Sequence, residues 1–341
     1  MKKLYGIIVL IFIVIACKTN HSKDNKLITE KIQYDVLINN TEPDMDWWIQ
    51  NIEGPKRDKF INLIFEAIKD NKLNIYNLNG ESTNLESVLS HLFAFDTIQL
   101  QKNGKKGQMI DTIFITNSFN QEKINQIRFR EKWSFNENTL QIEKKVDAFC
   151  PVMQVENPEK DNKLTFPLFW IFSDSLQNSE DKDLITITHK IQYDVFIKSE
   201  NDKNNWYSNN IVASDREYLL NKIIEVASKG KLKIYDYFDK SIDKESFKKI
   251  LNRKDTVLVE NPEDPGSFTP QISDISLDIK SISKIRFIED WKIDPKSFRL
   301  FKTVKAISLL TENRENDGTI RGYTPVFYIY FDENIKNIIK N

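Results

Sequence analysis

The sequence is poor in the residues that build several specialised classes of protein. Its 341 residues include 9 glycines and 10 prolines. Against average usage of about 7% and 5%, these counts exclude collagen-like and low-complexity chains and leave few residues for glycine-rich phosphate loops. With 49 basic and 50 acidic side chains, the chain has no excess positive charge for a phosphate backbone. We therefore expect no nucleic-acid partner.

Residues for catalysis or metal binding are also scarce. The sequence has no G-x-S-x-G, H-E-x-x-H, P-loop or dinucleotide-binding motif. Its three histidines, His21, His91 and His189, lack the clustering of three or four ligands that zinc requires. Residues 260–266 are acidic, but calcium needs about six oxygens in a defined loop, so their Pro and Gly favour a plain turn. The sequence predicts no enzyme, no metal and no cofactor.

Two charged segments, 128–132 and 286–290, place carboxylates beside an arginine. Glu131 and the pair Glu289 and Asp290 could act as paired acids. Their alternation along a strand instead favours a solvated charged face with cross-strand ion pairs. We expect these groups to lie at the surface.

The N-terminus resembles that of a bacterial lipoprotein. Two lysines precede an uncharged run over residues 4–16, which ends in Ala before Cys17. As a helix this run would be about 20 Å long, too short for a hydrocarbon core of about 30 Å. The pattern predicts a signal peptide over 1–16, lipidation of Cys17 and a tether over 17–26. The membrane is then a partner through the lipid, and no other segment is apolar enough to span.

The second cysteine, Cys150, has no disulfide partner once Cys17 is lipidated. It lies in an apolar run before Pro151. This context favours a buried small hydrophobic residue over a reactive thiol.

The chain contains a tandem repeat. Residues 28–36 recur as 187–195 with eight of nine positions identical, at an offset of 159. Further along, 127–133 match 285–291 at an offset of 158. A period this long indicates a duplicated domain and not a solenoid. The predicted boundaries are 27–174 for repeat 1, 175–183 for a polar linker and 184–333 for repeat 2.

Each repeat has the same predicted order of elements. An alternating strand near Ile32 is followed by an amphipathic helix over 56–70 and a second helix over 84–92, and the end of the repeat is rich in strands. In repeat 2, Gly230 follows the first helix, as a C-terminal glycine would. We predict an α+β fold: two similar domains, each with two early helices and a mostly antiparallel β meander. Because the linker is polar, we expect each repeat to have its own core and to fold independently.

Several blocks in order carry a resemblance to a known family. They are a Trp-bearing segment with an arginine, a short strand ending in Tyr, an Asp-Thr-Ile strand, an I-R-x-x-E-x-W-x-F strand and an aromatic P-L-F-W-I-F strand. In repeat 1 these blocks are 48–57, 73–76, 96–98, 127–136 and 167–172, and repeat 2 has the same blocks. The chain resembles the GldN/PorN proteins of gliding motility and type IX secretion, as a tandem duplication with a lipoprotein signal.

The resemblance implies a non-enzymatic structural role. Family members are periplasmic and join a partner lipoprotein in a large ring beneath the outer membrane. This chain departs from that pattern because it has two family-like domains and its own lipidation signal. The resemblance implies envelope or secretion-ring proteins as partners, and it leaves homo-oligomerisation open.

The predicted contact residues are aromatic residues beside arginines, the residue types that dominate protein interfaces. Packing in the core is the alternative for every tryptophan, including Trp133 and Trp291. The predicted binding residues are Trp47, Trp48 and Arg57 in repeat 1, and Trp206, Tyr207 and Arg216 in repeat 2.

The sequence therefore predicts a lipid-anchored interaction protein of the bacterial envelope, resembling a secretion or gliding ring component. We expect it at the outer membrane, facing the periplasm. The alternative is a solitary periplasmic or surface lipoprotein that binds a peptide or glycan through the late aromatic sheet.

Overall fold

A computed structural model describes most of the chain. The described residues are 25–39, 52–93, 97–100, 111–114, 119–156, 163–173, 183–198, 211–230, 232–315 and 317–331. The predicted signal peptide, Cys17 and most of the linker lie outside them.

The first sheet is antiparallel and contains only strands of repeat 1. Long alternating strands form its centre, with the order β1-β6-β7-β8, and β9 also pairs with β7. Its strands are β1 (Asn25–Leu37), β6 (Ile124–Asn136), β7 (Ile142–Glu156), β8 (Lys163–Pro167) and β9 (Ile171–Phe172).

The second sheet contains only strands of repeat 2 and repeats this arrangement. Its order is β10-β15-β16-β17-β11-β12, again antiparallel. Its strands are β10 (Ile185–Phe196), β11 (Ile234–Tyr235), β12 (Ser241–Ile242), β15 (Ile282–Ile293), β16 (Leu300–Arg314) and β17 (Ile320–Tyr330).

Helices and short hairpins flank the sheets. The α-helices are α1 (Gly54–Lys69), α2 (Leu85–Phe93), α3 (Ala213–Ser228) and α4 (Lys244–Leu251). Three two-stranded units are β2 (Ile75–Tyr76) with β3 (Ser82–Thr83), β4 (Thr97–Leu100) with β5 (Asp111–Phe114), and β13 (Asn252–Glu260) with β14 (Phe268–Ser276). The predicted predominance of antiparallel strands is confirmed.

Local sequence explains where the first helix of each repeat begins and ends. Pro55 lies in the first turn of α1, where a missing N–H costs nothing. After α3, Gly230 adopts a left-handed φ of +69°, and the equivalent Asn71 after α1 has φ +55°. Glycine and asparagine tolerate this conformation better than other residues, so they end helices well. Gly230 is therefore a helix-terminating glycine, as the sequence predicts.

The expectation of two separate cores is wrong. One cluster of buried side chains contains residues of both repeats, from Ile28 and Phe65 in the first to Phe247 and Phe327 in the second. Helix α1 contacts β10, and α3 contacts β1, so each long helix also touches the other repeat's sheet. The polar linker gives no sign of this contact because the residues that form it lie on the strands and helices of the two repeats.

Candidate functional site between the repeats

The two sheets face each other across the alternating strands β1, β6 and β7 and their equivalents. We call the following ten residues the inner cluster. They are Tyr34, Phe129, Glu131, Trp133 and Lys144 from repeat 1, and Tyr193, Phe287, Glu289, Trp291 and Lys302 from repeat 2. Each residue has an identical counterpart at an offset of 159 or 158, so the cluster has an approximate two-fold symmetry within one chain.

Within each repeat, the glutamate is fixed by two neighbours on its own sheet. In repeat 1, Glu131 Oε2 accepts hydrogen bonds from the Tyr34 hydroxyl at 2.6 Å and from Trp133 Nε1 at 2.7 Å. In repeat 2, Glu289 Oε2 accepts from the Tyr193 hydroxyl at 2.5 Å and from Trp291 Nε1 at 2.8 Å. These bonds orient the other carboxylate oxygen toward the opposite repeat.

Two ion pairs cross from one repeat to the other. Lys144 Nζ lies 2.7 Å from Glu289 Oε1, and Lys302 Nζ lies 2.7 Å from Glu131 Oε1. All four side chains have no solvent exposure. Removing one member would leave its partner as a bare charge in the core, which typically costs about 3–5 kcal/mol. The pairs therefore favour one alignment of the two repeats.

Aromatic rings surround both ammonium groups. Lys144 Nζ lies 3.0 Å from the centre of the Phe287 ring, and Lys302 Nζ lies 3.0 Å from that of Phe129. The rings also pack across the interface edge to face, with Trp291 5.0 Å from Phe129. Aromatic faces attract cations and compensate part of the lost hydration.

Burial and charge shift the pKa values of the inner cluster. Burial lowers the pKa of Lys144 to about 8, although the nearby glutamates act in the opposite direction. Burial also lowers the pKa of Lys302. For Glu289, burial acts to raise the pKa, but the Lys144 and Lys302 ammonium groups hold it below its ordinary value. Burial, followed by the glutamate charges, raises the pKa values of Tyr34 and Tyr193 well above 10.

The prediction of a solvated face at Glu131 and Glu289 is therefore wrong. Both carboxylates are fully buried, because the second repeat covers the strand face that a lone domain would expose to water. The expected cross-strand ion pair does exist on the opposite, outer face, where Arg128 binds Asp35 through Nε at 2.6 Å and Nη2 at 2.8 Å. Carboxylates sealed from solvent cannot meet a substrate, so this arrangement can fasten the repeats together but cannot act on a ligand.

Neither Lys144 nor Lys302 is predicted from the sequence as a functional residue. Both are lysines at equivalent positions of apolar alternating strands, with Val146 and Val304 two residues further on. The sequence does contain a signal for them: the same charged residue occupies a core-facing strand position in both repeats. For the tryptophans of the same strands, Trp133 and Trp291, packing in the core is confirmed, since both are fully buried.

The predicted contact residues are only partly within the described chain. Trp47, Trp48, Trp206 and Tyr207 lie outside the described residues. Arg57 binds the neighbouring Asp58 at 2.7 Å and lines a cleft of about 570 Å³ with Leu85 and Phe119.

The equivalent arginine in repeat 2 has different partners. Arg216 Nη1 donates to the backbone carbonyls of Ile211 at 3.3 Å and Ile197 at 3.5 Å. It joins the beginning of α3 to the end of β10. Its contacts are thus with this chain's own backbone.

The outer face of the second sheet carries a group of aromatic residues. Tyr330 donates to Asp239 Oδ1 at 2.6 Å and packs against Tyr235 at 5.4 Å between ring centres. Nearby in the sequence, Phe238 is 84% exposed and packs edge to face on Tyr237. Exposed rings of this kind are common at binding surfaces.

Cys150 is a free thiol on the outer face of the first sheet. It is fully buried, as predicted. Burial raises the pKa of its thiol to about 12, so thiolate chemistry is suppressed.

In the described part of the chain, His, Cys, Asp and Glu form no group of three that could hold a metal ion. No described helix combines the length and the apolar character needed to cross a membrane.

The comparisons with known proteins give one family. The family model described as "Gliding motility associated protein GldN" matches residues 48–204 and again residues 181–341. A search of curated proteins gives no match. The two family matches together cover most of the sequence and agree with the duplicated strands and the two related sheets. The chain therefore belongs to the GldN family of gliding motility associated proteins, as a tandem duplication of its domain.

Proposed function

We propose that this protein is a lipid-anchored, non-enzymatic structural component of the bacterial envelope, serving gliding motility or type IX secretion. The observation that supports this most directly is the inner cluster. Its glutamates, lysines and tyrosines are the groups from which an active site could be built, and they are used to join the two repeats. A chain that uses these groups to hold its two repeats in one alignment is suited to act as a rigid part of an assembly.

The family membership supports the assignment to a motility or secretion apparatus. The deciding experiment is deletion of the gene in the bacterium that encodes it, followed by measurement of gliding on agar and of protein secretion. We expect both to decline and to be restored by the wild-type gene. Unchanged gliding and secretion in a strain without other GldN-type genes would contradict the proposal.

Anchoring is proposed to occur through lipidated Cys17, with the protein at the outer membrane facing the periplasm. Substituting Cys17→Ala should move the protein from the membrane fraction to the soluble periplasmic fraction. Cys150→Ala is the matched control and should not change fractionation. A Cys17→Ala protein that still sediments with membranes after a salt wash would refute lipid anchoring.

Partner contacts are proposed for Trp47, Trp48 and Arg57, and for Trp206, Tyr207 and Arg216. Replacing an exposed hot-spot residue by alanine costs about 2 kcal/mol of partner affinity or more but little stability. Trp48→Ala and Tyr207→Ala should therefore leave the melting temperature nearly unchanged and weaken co-purification with envelope proteins. A large fall in melting temperature would assign these residues to the core.

The second candidate is a solitary lipoprotein that binds a peptide or glycan. The exposed Tyr237 and Phe238 beside Tyr330 favour it, because aromatic faces stack on sugar rings and on peptide side chains. A glycan and peptide array probed with the soluble protein tests this candidate. Binding that is lost in Tyr237→Ala/Phe238→Ala, combined with normal gliding in the deletion strain, would favour it over the first.

A further inference from the structure

The outer face of the first sheet carries a cation that has no counter-ion among the described residues. Along β6, the cations on this face are Arg128, Arg130 and Lys132. Arg128 is paired with Asp35 on β1 at 2.6 Å, and Lys132 is paired with Glu30 on the same strand at 2.8 Å. In the part of the chain that the structure describes, the Arg130 guanidinium makes no hydrogen bond and no ion pair.

The residue opposite Arg130 explains the missing counter-ion. β1 places Gln33 across from Arg130, where an acidic residue would have completed a third pair. Directly opposite residues of an antiparallel pair project from the same face, with Cβ atoms about 5 Å apart. Gln33 is 8% exposed, and its amide makes no hydrogen bond with another described residue. A half-buried guanidinium and a buried amide thus lie side by side with their hydrogen-bonding groups unused.

Aromatic rings fix the position of the guanidinium. The guanidinium carbon of Arg130 lies 4.8 Å from the centre of the Phe172 ring and 5.6 Å from that of Trp170. Ala148 pairs with Arg130 on one side and with Phe172 on the other, and its small side chain leaves room between them. The planar set of N–H donors is therefore held in place before any ligand arrives, which reduces the entropy lost on binding.

The second repeat has the same framework without the cation. Ile288 occupies the position equivalent to Arg130, lies opposite Gln192 and is buried against Ala306 and Tyr330. An apolar side chain therefore fills this position without needing a partner. An arginine here loses hydration without gaining an ion pair, so the sheet itself does not require it. Its presence in repeat 1 points to a ligand that supplies the missing anion.

We propose that Arg130 and Gln33 bind the carboxylate side chain of an acidic segment of another protein. Two N–H groups of the guanidinium can donate to the two carboxylate oxygens, and the Gln33 amide can donate to one of them. Arginine beside aromatic residues is the composition of interface hot spots. The proposal rests on the structural role given above, to which it adds the chemistry of one partner.

The rings around the site indicate what accompanies the carboxylate. Tyr76 and Phe172 are half-buried and pack edge to face at 4.9 Å, so they suit an apolar residue next to the acidic one. Trp170, the largest ring, is 6% exposed and has no open face on which a sugar could stack. A protein segment is therefore favoured over an acidic glycan.

The test uses the mature chain, residues 17–341, with Cys17→Ala to keep it soluble. The probe is a dye-labelled peptide with capped ends and one glutamate between two phenylalanines. The same peptide with glutamine in place of glutamate is its control. Fluorescence anisotropy should show that the glutamate peptide binds about tenfold more tightly or better, and that its binding weakens as salt is raised.

Variants of the site should change this binding in a graded way. Arg130→Ile, which gives repeat 1 the residue type of position 288, should weaken binding of the glutamate peptide about tenfold or more and abolish its preference over the glutamine peptide. Arg130→Lys should have intermediate affinity because lysine keeps the charge but lacks the planar fork. Gln33→Leu should weaken binding about fivefold. Lys132→Ile removes the next cation on the same face and is the matched control, which should bind nearly as the wild type does.

Stability separates a binding role from a structural one. Thermal unfolding followed by circular dichroism should show no fall in melting temperature for Arg130→Ile, because the substitution removes an unpaired cation and not an ion pair. A clear fall would assign Arg130 to the packing of the outer face and overturn the proposal.

Three binding results would also overturn it. The first is a wild-type chain that binds both peptides equally or binds neither. The second is binding that Arg130→Ile and Lys132→Ile weaken equally, which would indicate a general effect of positive charge. The third is binding of glucuronate, measured by titration calorimetry, without binding of the glutamate peptide, which would assign the site to an acidic sugar. Each leaves the structural role itself standing, because that role is judged by gliding and secretion in the deletion strain.

Discussion

The inner faces of the two sheets are nearly identical, and their outer faces differ. On the inner face, every residue of the inner cluster has the same residue type at the equivalent position. On the outer face, Phe172 of repeat 1 corresponds to Tyr330, and Trp170 corresponds to Tyr328. The inner residues of each repeat contact those of the other, so loss of a charged residue in one copy would leave its partner in the other copy buried and unpaired. The outer faces have no such mutual constraint.

The outer faces also differ in how the strands are assembled. In the described part of repeat 1, Tyr76 joins the first sheet through an isolated bridge to Trp170. In repeat 2, the equivalent Tyr235 lies in β11, which pairs with the long strand β17 and brings β12 into a six-stranded sheet. The same sequence framework therefore supports a more continuous sheet in the second repeat. A shared inner face and divergent outer faces should respond differently to substitution.

The largest expected effect is loss of an inner glutamate. Glu289→Ala leaves Lys144 buried without its partner, and Glu131→Ala does the same to Lys302. Each should lower the free energy of unfolding by about 3–5 kcal/mol. Chemical denaturation monitored by tryptophan fluorescence measures this. Glu30→Ala, which breaks the exposed pair with Lys132, is the control and should cost at most about 1 kcal/mol. A large effect at only one of the two glutamates would disprove the symmetry of the interface.

The inner lysines should make stability depend on alkaline pH. The pKa of Lys144 is about 8 in the folded protein, below its unfolded value of about 10.4. Between these values the unfolded state binds more protons, so the free energy of unfolding should rise with pH. The slope for one lysine is at most about 1.4 kcal/mol per pH unit. Above about pH 10, Tyr34 and Tyr193 reverse the trend because their pKa values are raised on folding.

The measurement is urea denaturation between about pH 8 and pH 10. Lys284, whose pKa burial also lowers to about 8, contributes in the same direction, so Lys284→Met is the background. Adding Lys144→Met/Glu289→Leu should reduce the slope, because one buried lysine and its partner are removed together. If the free energy of unfolding changes with pH equally in Lys284→Met with and without Lys144→Met/Glu289→Leu, Lys144 does not titrate between about pH 8 and pH 10.

A smaller effect is expected on the outer face of repeat 2. Tyr330→Phe removes the hydrogen bond to Asp239 and creates the residue type found at the equivalent position 172 of repeat 1. It should cost about 0.5–1.5 kcal/mol. An unchanged melting temperature for Tyr330→Phe would show that this bond contributes nothing to the second sheet.

The smallest effect is expected at Cys150. The equivalent residue in repeat 2 is Ser308, which is buried and donates to the carbonyl of Phe327 at 2.7 Å. In repeat 1, the Cys150 thiol donates to the carbonyl of Pro151 at 3.4 Å. Cys150→Ser should therefore find an acceptor and cost at most about 1 kcal/mol. Thermal unfolding checks this. Cys150→Val, whose side chain cannot donate a hydrogen bond, tests whether that bond contributes to stability. A loss well above 1 kcal/mol for Cys150→Ser would show that the two outer faces differ here as well.

Much of the fold could be predicted from the sequence because it depends on local periodicity and on comparison within the chain. Alternation near Ile32 and Phe129 identified the long strands, and helical spacing identified α1 within two residues of its observed start. The offset between copies identified the repeat. Turn and helix-end residues such as Gly230 act through their own backbone conformation, which requires no knowledge of distant contacts.

The surroundings of Glu131 and Glu289 could not be predicted in this way. Alternation assigns a residue to one face of a strand but does not specify what covers that face. The sequence alone determined the duplication, the family and the antiparallel strands. Only the tertiary structure decided that the inner face is buried against its own copy. Burial turned two carboxylates, which a single repeat would expose to water, into crossed ion pairs with Lys144 and Lys302, because a charge removed from water must be paired.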